Sequence, residues 1–132
     1  MIAVDTNVIV RFLVRDDEIQ AGIVRKRLKQ AEASRERLKI PLLVVLETMW
    51  VLESAYKKTR SEILGAIQSM RQMPVFDFEN DRVIEQLVRD GRKHKVDLAD
   101  ILIARSAEAI GCRAGITFDR DATKLSFFNL LK

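Results

Sequence analysis

Short apolar segments rich in branched side chains alternate with longer amphipathic segments along this chain of 132 residues. The short segments predict strands, and apolar residues spaced three and four apart predict helices. The predicted strands are Ile2–Val4, Leu38–Ile40, Val75–Phe78, Ala114–Thr117 and Phe127–Leu130. The predicted helices are Thr6–Leu13, Glu18–Ala33, Leu42–Tyr56, Ser61–Met70, Asp81–His94 and Asp97–Ile110. This alternation predicts one domain, residues 1–132, of the α/β class: a three-layer α/β/α sandwich around a mostly parallel central sheet.

The composition favours a soluble protein of a reducing, cytoplasmic setting. The longest apolar run without a charge, Ile40–Leu46, is far too short to span a bilayer. Cys112 is the single cysteine, which excludes an intrachain disulfide. Its position beside Gly111, which suits the left-handed C-cap of the preceding helix, predicts a small buried residue. The net charge is +4. Basic clusters that could contact phosphates, or simply form solvated helix faces, are Arg25–Lys29, Arg35–Lys39, Lys57–Arg60 and Arg92–Lys95.

Acidic residues follow two of the predicted strands. Asp5 follows the first strand in MIAVDTN, and Asp119 follows a late strand in ITFDRD. Asp97 and Asp100, in VDLADILIA, lie at the start of a helix, where Asp97 suits the N-cap and Asp100 precedes a strongly apolar stretch. Ligands of open parallel sheets gather outside the carboxyl ends of the strands. We therefore expect Asp5, Asp100 and Asp119 to lie close together.

A fourth acid, Glu47, lies in the middle of an apolar helix. Its neighbours one turn away include Leu43 and Trp50, so its side chain is expected to leave an apolar surface. A lone carboxylate buried there would be costly or would become protonated. We therefore expect a cation or a hydrogen-bond donor beside it.

Carboxylates that meet at one place repel each other by roughly 4 kcal/mol per pair at about 4 Å and an effective dielectric constant of about 20. Such a cluster favours a divalent cation. Oxygen ligands without cysteine or a nearby histidine suit Mg²⁺ or Mn²⁺ better than Zn²⁺. The chemistry that follows is hydrolysis of a phosphodiester bond, with the basic clusters available to a polyanionic substrate.

In these contexts the four acids resemble those of the PIN domain, and specifically its VapC-type toxin ribonucleases. The resemblance rests on DTN after the first strand, a Glu within LLVVLETMWVL, DLADILIA at a helix start and TFD after a late strand, and it spans nearly the whole chain. It implies an endoribonuclease whose catalytic, metal-binding residues are Asp5, Glu47, Asp100 and Asp119. It also implies an RNA substrate, inhibition of translation, a small VapB-like antitoxin as partner and a homodimer.

Supporting roles are expected for residues beside these acids. Thr6 and Asn7 are expected to orient Asp5 through local hydrogen bonds, and Thr117 to contact the water shell of the metal. Each of them could equally serve only as a turn or cap residue.

Three further residues have open roles near the expected site. Arg11 lies one helical turn after Asn7, within reach of a substrate phosphate, although an exposed helix charge explains it equally well. Asp121 would assist the acids only if its loop folds inward. Asp97 could contact the metal, or it could serve only as the N-cap of its helix.

Three other functions are alternatives to the nuclease. A phosphoryl-transfer hydrolase of the haloacid dehalogenase type requires a second Asp two residues after the first, to donate a proton, where this chain has Asn7. A phospho-accepting receiver domain requires an acidic pair at the first strand, which is absent. A non-catalytic RNA-binding or interaction module with the same fold ranks second to the nuclease, because a fold alone does not determine its chemistry.

Overall fold

The computed structural model describes residues 1–132 as two compact units, Met1–Asp81 and Arg82–Lys132. The first unit contains strands β1 (Ile2–Ala3), β2 (Leu38–Ile40) and β3 (Phe76–Phe78) with helices α1 (Thr6–Leu13), α2 (Glu18–Ala33), α3 (Leu42–Ser54) and α4 (Arg60–Arg71). Helix α5 (Asp81–Lys93) begins at Asp81, the last residue of the first unit. The second unit continues with α6 (Leu98–Ala109), β4 (Gly115–Thr117), a 3-10 turn (Asp121–Lys124) and β5 (Phe128–Leu130). No helix is long and apolar enough to cross a membrane.

The three strands of the first unit form a parallel sheet in the order β1–β2–β3. Ile2 pairs with Leu38, and Leu38 pairs in turn with Phe76. Because the strands are parallel, their carboxyl ends share one edge of the sheet, which we call the carboxyl edge. Asp5, Pro41 and Glu79 follow the three strands there. The predicted α/β class with parallel strands is confirmed.

Helices cover the strands of the first unit with aliphatic and aromatic side chains. Helix α1 packs against α2 and α3, and α3 packs against α4. Ile9, Ile40 and Leu64 are almost completely buried, and burial of such a side chain stabilises a fold by about 1.5–3 kcal/mol. Phe12 meets Phe76 edge to face, with ring centroids 5.5 Å apart.

The second unit has its own core and a second parallel pair, β4–β5. Ile84, Leu87 and Ile101 are fully buried in it. Gly115 in β4 lies against two packed aromatic rings. A Cβ atom at that position would lie 2.6 Å from Phe127 Cε2 and 3.0 Å from Phe128 Cδ1, so the close approach of the strands requires glycine.

Every predicted helix and strand is present, but the expected burial of Cys112 is wrong. Helix α6 ends at Ala109, and Gly111 takes the left-handed conformation, φ +100°, that was expected of its C-cap. The chain leaves the helix toward solvent, so that Ile110 is 84% exposed and Cys112 is exposed as well. The 3-10 turn at Asp121–Lys124 was not predicted.

Candidate functional site

Asp5 lies at the carboxyl edge of the first sheet and caps helix α1. Its Oδ1 accepts a hydrogen bond of 3.1 Å from the backbone N–H of Val8. The first amides of a helix lack partners within the helix and attract negative charge, which explains the acid at this position. The Asp5 side chain is exposed and this cap uses one of its two oxygens. Asn7, in the first turn of α1, is exposed.

Thr6 connects this helix start to Glu47 on α3. The Thr6 side chain is buried, and its hydroxyl donates a hydrogen bond to Glu47 Oε1. The donor expected beside Glu47 is therefore present, and it is supplied by the residue that follows Asp5. Thr6 was expected to orient Asp5, but in the structure its hydroxyl holds Glu47 near the amino end of α1 instead.

The surroundings of Glu47 differ from the expected buried apolar surface. Glu47 itself is exposed, and Leu43 and Trp50 beside it are 78% and 68% exposed. Helix α3 packs through its other face, which includes Val45 and Met49. The expected burial of the Glu47 carboxylate is therefore wrong, because its apolar neighbours form an exposed surface on either side of it.

A further acid at the carboxyl edge, Glu79, was missed by the sequence analysis. It follows β3, and its Oε1 accepts a hydrogen bond of 2.9 Å from the backbone N–H of Leu42, the first residue of α3. Pro41 provides no side-chain cap there. The position of Glu79 directly after a strand, in FDFE, is the same signal that singled out Asp5.

In the second unit, three acids lie close enough to influence each other. Asp97 is the N-cap of α6, as expected, and accepts a bond of 3.3 Å from the N–H of Ala99. Asp100 follows in the first turn and is half-buried. Its burial, and then the negative charges of Asp97 and Asp119, raise the pKa of the Asp100 carboxyl. This arrangement of like charges is one that a cation would relieve.

The loop after β4 holds Asp119 through successive turns. The N–H of Asp119 donates to Thr117 Oγ1 at 3.0 Å, and Asp119 Oδ1 accepts from the N–H of Asp121 at 2.9 Å. Thr117 thereby shapes the loop that carries Asp119, as a turn residue does. The Asp121 side chain is 79% exposed and lies 3.4 Å from Lys124 Nζ.

Arg11 belongs to a polar network within the first unit. Its Nη1 donates to Asp16 Oδ1 at 2.7 Å and to the Tyr56 hydroxyl at 3.1 Å, and its Nε donates to Gln20 at 2.8 Å. Tyr56 donates in turn to Asp16 at 2.8 Å. These bonds link the ends of α1 and α3 to the start of α2, so Arg11 is more than the exposed helix charge that was its alternative role.

The donor set of these acids suits a hard divalent cation. Asp5 and Glu47 in one unit and Asp100 and Asp119 in the other offer carboxylate oxygens, which Mg²⁺ and Mn²⁺ prefer. No group of three or more acidic, histidine or cysteine side chains is arranged to hold a metal ion. A site made by all four acids stays a prediction.

Comparisons with known proteins agree with the motifs in the sequence. The chain is similar to a VapC ribonuclease from Aquifex aeolicus (strain VF5), with 24% identity over 123 residues that cover 93% of this chain and 90% of the relative. The model of the PIN domain matches residues 2–127, which include most of both units and all four acids. The chain therefore belongs to the PIN domain family.

Proposed function

We propose that the protein is a divalent-metal-dependent endoribonuclease of the VapC type. The observation that carries the proposal is the family match over residues 2–127, together with acids at the four positions that the resemblance assigns to metal binding. The similar protein of Aquifex aeolicus is named as a ribonuclease. Two observations support it further: a bound cation would offset the burial and like charges that raise the pKa of Asp100, and the Thr6 hydroxyl holds the Glu47 carboxylate by a hydrogen bond.

Asp5, Glu47, Asp100 and Asp119 would hold the cation, Mg²⁺ or Mn²⁺. When bound, such a cation supplies charge neutralisation and Lewis acidity at a phosphodiester. Thr6 positions Glu47 through its hydroxyl, and the Thr117 turn positions Asp119. Asp97 caps α6 and thereby fixes the helix turn that carries Asp100.

The biological role that follows from this proposal is that of a toxin in a toxin–antitoxin pair. The enzyme would cleave RNA needed for translation in the cytoplasm and so inhibit growth of the cell. A small VapB-like antitoxin would block the enzyme. We also propose a homodimer. The exposed Leu43 and Trp50, two turns apart on one face of α3, support a protein–protein interface, because exposed apolar surface often marks one.

The proposal is tested by RNA cleavage with purified protein. We expect cleavage in Mg²⁺ or Mn²⁺, loss of cleavage in EDTA, and a fall of at least about 100-fold with Asp5→Asn or Asp100→Asn, since loss of a metal ligand should cost no less than loss of an outer-shell partner. Glu47→Gln should behave likewise without unfolding the protein, because the amide oxygen can still accept the Thr6 hydrogen bond. Sequencing of RNA ends after expression in cells would identify the target.

The matched control is Asp77→Asn, which removes an acid of β3 that pairs with Lys39 at 2.9 Å. This variant should cleave RNA at the wild-type rate. Cleavage that survives EDTA and Asp100→Asn would refute a metal-dependent nuclease. RNA binding without any cleavage, under all metal conditions, would instead support the non-catalytic binding module.

A further inference from the structure

The outer face of helix α2 carries a hollow that none of the proposed catalytic residues enters. Its volume is about 460 Å³. The residues that line it are Gly22, Arg25, Lys26, Lys29, Gln30 and Ala33. They are spaced three and four apart and so form one stripe of the helix. We call this feature the α2 groove.

The α2 groove is lined by three cations and by no acid. The larger cavity of the first unit, about 660 Å³, is different, because its lining includes Glu32 and Glu36 as well as Arg35 and Arg37. Opposite charges balance there, whereas the charged residues that line the α2 groove are all positive. Its ligand should therefore be an anion.

Arg25 has the strongest reason to require such a ligand. Its Nη1 is shielded from solvent and forms no hydrogen bond within the protein. Its Nη2 would lie 3.8 Å from a Cβ atom at Gly22, so the guanidinium extends over the bare backbone of its own helix. Because Nη1 is shielded, an external acceptor reaches the guanidinium at Nη2, over Gly22. A charge-assisted hydrogen bond there would give the guanidinium the partner that it lacks within the protein.

The spacing and chemistry of the groove favour a chain of phosphates. Arg25 and Lys29 are four residues apart, about 6 Å along the helix axis, so they can contact neighbouring charges of a polymer. The planar guanidinium of arginine matches the oxygens of a phosphate through paired hydrogen bonds. Gly22 and Ala33 keep the floor of the groove low enough for a backbone to approach.

We propose that the α2 groove binds the phosphodiester backbone of single-stranded RNA. This inference rests on the proposed nuclease function and names a contact that holds the substrate away from the reacting atoms. Arg25, Lys26 and Lys29 are thus positioning residues. They contribute affinity without base specificity, since phosphate contacts carry no sequence information.

The experiment measures binding of labelled poly(U) by fluorescence anisotropy in EDTA, so that no cleavage occurs. Each phosphate contact contributes about 0.7 to the slope of log affinity against log salt for single strands. The variant Arg25→Gln/Lys26→Gln/Lys29→Gln should therefore bind more weakly, with a slope smaller by about 2. The double variant Lys26→Gln/Lys29→Gln, which changes two exposed side chains only, should lower the slope by about 1.4 and guards against misfolding of the triple variant.

The control variant is Arg82→Gln/Arg113→Gln/Lys132→Gln, which removes the same charge from three exposed positions outside the basic clusters named above. Its salt slope should match that of wild type. Equal losses in the two triple variants would show a general charge effect and overturn the proposal. So would unchanged RNA binding combined with lost affinity for poly-glutamate, because the groove would then serve an acidic protein segment. If the proposed nuclease function is wrong, wild type will not cleave RNA in Mn²⁺. This outcome is distinguishable from failure of the α2 groove proposal, which is measured by binding in EDTA.

Discussion

At the scale of the residue, some conformations in this protein are determined by local backbone geometry and others by contacts that are distant in sequence. Arg35 has a positive φ of 57° at the carboxyl end of α2. The N–H groups of Arg35 and Glu36 donate to the carbonyls of Glu32 and Ala31, which is the Schellman arrangement that normally places glycine at this position. A side chain there strains the backbone.

We predict that Arg35→Gly raises the free energy of unfolding by about 0.5–1 kcal/mol, because relief of the left-handed strain exceeds the entropy cost of glycine. Urea denaturation measures it. The control is Lys29→Gly, the same type of change inside α2, which should lower the free energy of unfolding by about 1 kcal/mol. Destabilisation by both substitutions would contradict this account of Arg35.

At the same scale, the contact between Thr6 and Glu47 shows which features of the site could be predicted from the sequence and which could not. A donor beside Glu47 was expected because its apolar neighbours suggested burial, and the donor is present although the carboxylate and those neighbours are exposed. The identity of the donor was not predictable, because the two residues are 41 positions apart. The exposure of Leu43 and Trp50 was missed for a related reason: helical spacing identifies apolar faces, but α3 has more apolar residues than one face can bury.

At the scale of the element, helix starts were predictable because their caps are local. Thr59 and Ser61 are both residues that suit a helix cap at this point of the sequence, and the structure has Thr59 in a capping box in which its N–H donates to Glu62 Oε1 at 2.9 Å. Glu79 at the start of α3 was not predictable in this role, because the amide that it caps, Leu42, is 37 residues away. Strand positions were predictable, whereas their pairing order required the structure.

The capping box predicts a pH dependence of stability. The hydrogen bond from the Thr59 backbone, then that from its side chain, lowers the pKa of the Glu62 carboxyl. A carboxyl whose pKa is lower in the folded state adds stability that is fully present above the unfolded-state pKa of about 4.3 and is lost as the pH falls through the folded-state pKa. Glu62→Gln should therefore destabilise the protein at about pH 6 and make little difference at about pH 3.

Urea denaturation at the two pH values measures this difference. Glu53→Gln serves as the control, because Glu53 is an exposed acid on α3 outside the capping box, and its effect should not follow the same pH dependence. A destabilisation by Glu62→Gln that is equally large at both pH values would contradict the role of the carboxylate charge.

At the scale of the whole molecule, the acids of the proposed site predict stabilisation by metal. A ligand that binds only the folded protein adds about 2.7 kcal/mol at a concentration of about 100 times its Kd. We expect Mn²⁺ to raise the melting temperature of wild type and of Glu53→Gln, but not that of Asp100→Asn. Sodium chloride at matched ionic strength controls for screening. An equal rise in Asp100→Asn would place the ion elsewhere.

Gly115 has no functional group, yet the structure leaves it almost no freedom to change. Any larger residue there would press on the rings of Phe127 and Phe128 and displace the strand that leads to Asp119. A genetic screen for inactive mutants would consequently recover changes at this glycine together with changes at the acids. Mapping of such mutants by phenotype alone would then assign a chemical role to a residue whose contribution is the space that it leaves free.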